Sequence, residues 1–204
     1  MTKIAELVAG LLRAMGALFG CGRDTASEPA GRDAEGNLEV AWGAKVPAAF
    51  RAKVIEVARR LRMDPSILMA VMAFETGRQF KASTPAGASS AVGLIQFMPA
   101  TAKALGTTSS ALAKMSEIEQ MDYVEKYLAP FAGRLNDLPS AYMAVLWPRA
   151  VSKPLSHVLW ARGEPQYGPN KGLDVNADGK VTKAEAAFRV EQQLVAGMKR
   201  ENLG

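Results

Sequence analysis

The chain has 204 residues, 49% of them apolar, a formal net charge of +5 and a single cysteine, Cys21. That length and apolar fraction suit one mid-sized globular domain and exclude a disordered chain; one cysteine excludes an internal disulfide. The modest positive balance favours encounter with anionic polymers, but no dense Lys/Arg run with interleaved aromatics is present, so no nucleic-acid partner is expected.

Ile4 to Phe19 is apolar-rich but interrupted by Glu6 and Arg13, which argues against a membrane span. Residues 1–20 read best as an amphipathic helix that packs on a partner, on the domain or on a membrane surface. A weak signal peptide is the other reading, since Lys3 gives a positive start and Leu18-Phe19-Gly20-Cys21 has the outline of a lipoprotein cleavage site. Residues 21–45 read as a linker, without helical periodicity and anchored at its end by Val40 and Trp42. The domain itself is expected over 46–204.

Helix formers dominate and β-branched runs are short, so the expected fold class is all-α. Pro47 suits a first helical turn, and Phe50, Val54, Val57 and Leu61 share one face. Asp64-Pro65 starts a second helix, apolar on all sides from Ile67 to Phe74, which predicts a buried central position. It ends at Glu75-Thr76-Gly77. Pro85 to Val92 reads as a loop and Pro99 to Leu105 as a short helix. Ser116 and Glu119 form a capping box before Met121, Val124, Leu128, Phe131 and Leu135, with Pro130 bending or ending that helix. Ser140 to Leu146 is a short apolar helix, and Val181 to Lys199 closes the chain.

Glu75 follows an unbroken apolar run. Desolvation there would raise its pKa and keep it protonated near neutrality, ready to donate a proton. The plainer reading is a helix-end glutamate turned to water. Further on, Gly93-Leu94-Ile95-Gln96-Phe97-Met98 precedes Pro99-Ala100-Thr101-Ala102. Gly93 permits close approach of backbone to a ligand. Gln96 offers both a hydrogen-bond donor and an acceptor to a polar ligand. Phe97 and Met98 suggest an apolar wall against a ligand, although core packing is preferred for Leu94, Ile95 and Met98.

Asp174-Val175-Asn176-Ala177-Asp178-Gly179-Lys180-Val181-Thr182-Lys183-Ala184-Glu185 matches the twelve-residue EF-hand loop. The expected calcium ligands are Asp174, Asn176, Asp178, the Lys180 carbonyl, Thr182 through water, and Glu185. The loop is single, and the stretch before it does not look like an entering helix, so a structural Ca2+ fits better than a switch. The plainer reading is an Asx-rich turn, with Thr182 and Glu185 capping the last helix. His157, the one histidine, is too isolated for a catalytic metal site. Trp147, Trp160 and Tyr167 read as core residues before they read as cleft walls.

Taken in order, Glu75-Thr76-Gly77, Gly93-Leu94-Ile95-Gln96 and Pro99-Ala100-Thr101-Ala102 resemble the signatures of the lytic transglycosylases of the lysozyme superfamily. Ala141-Tyr142-Met143-Ala144-Val145 stands where that family has Ala-Tyr-Asn-Ala-Gly, keeping Tyr142 but replacing Asn with Met143 and Gly with Val145. Leu146-Trp147-Pro148 resembles phage-associated members. The resemblance implies a lysozyme-like α domain over roughly Pro47 to Trp160, with Glu75 as catalytic acid/base and Thr76, Gly93, Gln96, Phe97 and Tyr142 at the substrate. It implies cleavage of the β-1,4 bond between N-acetylmuramic acid and N-acetylglucosamine, with closure of a 1,6-anhydro ring. The partner would be peptidoglycan, in the periplasm or cell wall, reached by export or on a phage particle. A phage-tail or membrane-surface contact would fall to the N-terminal helix. The absence of Asp or Glu between Thr76 and Lys114 fits an internal nucleophile rather than a carboxylate pair. The rivals are a hydrolytic muramidase on the same fold and a non-catalytic wall-binding tail protein.

Overall fold

The computed structural model describes residues 31, 38–85 and 90–204. The expected helix over 1–20 and most of the stretch read as linker lie outside the described residues. What is described is mainly helical: α1 (Ala48–Leu61), α2 (Pro65–Glu75), α3 (Pro99–Ala104), α4 (Ser109–Lys114), α5 (Glu117–Leu128), α6 (Leu138–Leu146), α7 (Tyr167–Asn170) and α8 (Lys183–Gly197).

Helix α2 sits at the centre. The Asp64 carboxylate caps it by accepting from Ser66 N at 2.7 Å, with Pro65 in the first turn. Every residue from Ile67 to Ala73 is buried. A helix with no polar face has to be covered on all sides, and here α1, α6 and α8 do it. Helix α5 lies against α1 and carries the expected Ser116–Glu119 capping box. It ends at Leu128, and a 3-10 turn through Pro130 follows because proline cannot extend the hydrogen-bond ladder.

The all-α expectation missed one small element. Val158–Ala161 (β1) pairs antiparallel with Lys180–Thr182 (β2), with a register shift between Val158 and Trp160. Strands of three and four residues are too short for alternation to show in the sequence. Because β2 lies inside the EF-hand-like segment, β1 supplies the pairing partner its exposed backbone needs. The stretch before the loop forms only the single turn α7, then a 3-10 turn over Lys171–Leu173.

Two ties hold the C-terminal part to the rest. Lys183, first in α8, is only 2% exposed, yet its ammonium donates to Ser140 Oγ (3.0 Å), Val151 O (2.8 Å) and Lys153 O (2.9 Å). Ser140 in turn bonds Asp137, the N-cap of α6. Burial lowers the Lys183 pKa, and the Asp137 charge opposes that shift. At the other end of α8, residues 38–45 are stitched to the chain terminus. Val40 N donates to Gly204 O at 2.8 Å, Trp42 N to Gly197 O at 3.2 Å, and Trp42 Nε1 to Gln193 O at 2.9 Å.

Gly197 marks how close this contact is. A Cβ on it would lie 2.5 Å from Trp42 Cδ1 and 2.9 Å from Ala41 Cβ. Helix propensity alone favours alanine there by about 1 kcal/mol. Gly197→Ala is nonetheless expected to lower stability by about 1–3 kcal/mol, the usual cost of overpacking, in urea unfolding. A stabilised variant would show that the Trp42 contact yields freely.

Candidate active site

Glu75 is the last residue of α2, where the apolar helix reaches the surface. It is partly exposed by area, yet enclosed by protein on most sides, so water meets its carboxyl from a limited direction. Among the described residues no group donates a hydrogen bond to that carboxyl. Burial alone pushes its pKa up to about 7, with no neighbouring charge contributing. A second carboxylate working beside it would have raised it further; none does so among the described residues.

The turn after Glu75 is fixed by Thr76. Its hydroxyl donates to Met72 O at 2.6 Å and accepts from Phe80 N at 3.1 Å, and the residue is buried. Thr76, expected at the substrate, is therefore a clamp on the helix end. The chain bends sharply there, with positive φ at Gly77, Arg78 and Phe80. The Arg78 guanidinium folds back over the Trp42 ring at 5.1 Å and donates to Gln193 Oε1 at 2.8 Å.

The second motif is a tight hairpin-like turn, bridged between Val92 and Phe97. Gly93 adopts φ +87°, and a Cβ on it would run into the Gln120 carboxamide. A close approach that needs a glycine is made here by Gln120. Gln120 is fully buried and satisfied: its Oε1 accepts from Leu94 N at 2.7 Å, and its Nε2 donates to Ala82 O and Leu112 O. Sequence reasoning missed this residue. The signal was present, because Gln120 stands four and eight residues before Val124 and Leu128 on the apolar stripe of α5.

Gln96 also has positive φ, and its Nε2 donates to Thr84 O at 3.1 Å and Gly93 O at 3.0 Å. Its carbonyl oxygen has no protein donor among the described residues, so a half-buried acceptor remains for a ligand. The two apolar neighbours exchange their expected places. Phe97 is 2% exposed and packs edge-on to Tyr127 in the core, whereas Met98 is 49% exposed. Leu94 and Ile95 are core residues.

Tyr142, on α6, is buried and meets Phe74 edge-on with ring centroids 5.5 Å apart. Burial first, and the Glu75 charge second, raise its pKa far above that of an ordinary phenol. The two residues are therefore electrostatic neighbours, but no hydrogen bond joins them. Met143, in place of the family's asparagine, is fully buried, so that position adds to the core rather than to a polar strip. Trp147 and Trp160 pack edge-on at 5.4 Å; Trp160 is buried and Trp147 partly so. His157 serves through its backbone, accepting from Lys183 N.

In the EF-hand-like segment, side-chain oxygens fold back on the loop backbone. Asn176 Oδ1 accepts from Asp178 N, Asp178 Oδ1 from Lys180 N, and Asp174 Oδ2 from Gly179 N and the Tyr167 hydroxyl. Asp174 Oδ1 is buried without a donor. The Glu185 carboxylate is occupied by its capping box with Thr182. Among the described residues no three of His, Cys, Asp and Glu are grouped closely enough to hold a metal ion.

Two measurements follow from this geometry. A carboxyl whose folded pKa lies above its unfolded value gives stability that is fully present below the unfolded value, near 4.3, and lost as pH rises through about 7. Glu75→Gln removes that loss. Its stability relative to the parent should rise by about 2 kcal/mol between pH 4 and pH 8 in denaturant titrations, and a pH-independent difference would contradict the burial of Glu75. Separately, Gln120→Leu strands Leu94 N and two carbonyls, and should cost about 3 kcal/mol or more in the same assay.

Residues 53–144 match the family model of the transglycosylase SLT domain. No solved structure matches the chain. The match spans the whole of α2, the Gly93–Phe97 turn, Gln120 and Tyr142. That family is one of transglycosylase enzymes of the lysozyme-like superfamily acting on peptidoglycan. The region that holds Glu75 at the end of its buried helix is therefore similar to the transglycosylase SLT domain of the lytic transglycosylases.

Proposed function

We propose that the chain cuts the β-1,4 bond between N-acetylmuramic acid and N-acetylglucosamine with Glu75 as its one acid/base. The observation that carries this reading is a helix-end carboxyl inside the matched domain, without a donor among the described residues and lifted to about 7 by burial. Such a group holds a proton near neutrality and releases it at little cost. It donates that proton to the bridging oxygen as the bond to muramic acid C1 breaks. The resulting carboxylate then takes the proton of the C6 hydroxyl while O6 bonds to C1, closing the 1,6-anhydro ring. Every proton is accounted for by one carboxyl, which is consistent with the lack of a second carboxylate acting on Glu75. The free Gln96 acceptor suits an acetamido N–H or a sugar hydroxyl. Work on such a polymer belongs to the periplasm or cell wall.

Glu75→Gln should lower glycan cleavage at least a thousandfold while strand binding persists, measured on purified sacculi by mass spectrometry of the products. The parent enzyme should release fragments lighter by one water than hydrolysis gives. Fragments at the full hydrolytic mass would favour the muramidase, and a chain that binds without cutting would be a wall-binding protein. Initial rates should fall as pH rises through about 7, because the acid form is the one that starts the reaction.

We also propose that the 174–185 segment takes a calcium ion. The buried Asp174 Oδ1 without a donor is the feature that calls for a cation, and the donor types fit an oxygen-seeking one. Asp174, Asn176, Asp178, the Lys180 carbonyl, Thr182 through water and Glu185 would hold it, after the side-chain oxygens that now accept from the loop backbone turn inward to form a group that is not assembled in this structure. The ion would supply positive charge that pins the loop against α8. Saturating calcium at a hundred times its Kd should raise unfolding stability by about 2.7 kcal/mol over chelator-treated protein, and Asp178→Ala should abolish the difference.

A further inference from the structure

We propose that Tyr167 is a positioning residue for the ion of the 174–185 loop: its hydroxyl holds the Asp174 carboxylate so that one oxygen stays free for the cation. This rests on the reading of that loop given above. In a standard EF-hand a helix runs straight into the first ligand and fixes where its carboxylate points. This chain has no such helix there. Helix α7 is the single turn Tyr167–Asn170, and a 3-10 turn over Lys171–Leu173 leads on to Asp174. Turns this short are marginal by themselves and need an outside contact to hold a ligand in place.

Tyr167 supplies that contact. Its ring is half-buried and packs against the core, so the phenol is anchored to the body of the domain. The hydroxyl donates to Asp174 Oδ2 at 2.6 Å, and Gly179 N, at the sixth loop position, donates to the same oxygen at 3.0 Å. Two donors from opposite ends of the segment pin one oxygen, and the planar carboxylate then fixes the direction of the other. That other oxygen, Oδ1, is buried without a donor, and among the described residues no ammonium or guanidinium pairs with Asp174. An anionic oxygen stripped of water and left without a partner is costly, and a cation removes the cost. Asn176 and Asp178 still bond the loop backbone and have to turn, whereas Asp174 Oδ1 is already free. Donors behind a ligating carboxylate of this kind contribute to affinity because they orient it before the metal arrives.

The test reads calcium binding and needs no glycan cleavage. Isothermal titration of the full chain with calcium compares the parent, Tyr167→Phe and Asp178→Ala. Phenylalanine keeps the ring and its packing and removes only the donor. Tyr167→Phe is expected to raise the calcium Kd about tenfold. Urea unfolding of the same chains separates this from a tie that serves the fold alone. Such a tie would lower the unfolding midpoint by the same amount in chelator and in saturating calcium and leave the Kd unchanged, which overturns the proposal. If the parent takes up no calcium, the reading of the loop fails and this proposal fails with it. If the parent binds, Asp178→Ala does not, and Tyr167→Phe binds as tightly as the parent, the loop reading stands and the role of Tyr167 alone is refuted.

Discussion

Everything in this domain is arranged around a helix that cannot touch water. From Ile67 to Ala73 helix α2 offers no polar side chain, so the chain has to wrap it, and α1, α6 and α8 converge on it for that reason. The same constraint perturbs the one carboxyl at the helix end. A glutamate placed at the last position of such a helix takes on part of its burial, and the carboxyl is desolvated without any acidic neighbour being needed. The raised carboxyl is thus a by-product of packing: the helix that forms the core also carries Glu75 at its end.

Polar groups inside the fold act as fasteners. Gln120 joins the segment after α2, the Gly93–Leu94 turn and the end of α4 through one carboxamide. Thr76 closes the helix end on itself. Both sit next to the sequence motifs around Glu75 and Gly93, and both explain why those motifs contain the residues they do. Gly93 is glycine because Gln120 fills the space its side chain would need. A signature that looks like a substrate contact in sequence can record an internal contact that shapes the substrate's surroundings.

The long periodic segments were legible beforehand, as were their stops. The Asp64-Pro65 start, the buried central helix, the Ser116–Glu119 box and the break at Pro130 all depend on local chemistry that a sequence displays directly. Which side of a turn faces inward was not legible. Phe97 and Met98 are adjacent and both apolar, and only the bridge between Val92 and Phe97 decides that the first is core and the second exposed. The β1–β2 pairing was hidden because its partners are separated by α7 and the first half of the loop, and neither is long enough to announce itself. Glu75 was legible because its signal is an exception, a charge ending an otherwise apolar run.

Lys183 gives the molecule a mechanical property. Its three acceptors belong to α6 and to the stretch between α6 and β1, while the lysine itself starts α8. Opening any one of these three pieces would leave a buried ammonium without its shell, a state far costlier than the loss of an ordinary contact. Partial unzipping of the C-terminal region is thereby suppressed. The segment beyond the matched residues is expected to melt with the domain core as one cooperative unit, instead of peeling away as an appendage.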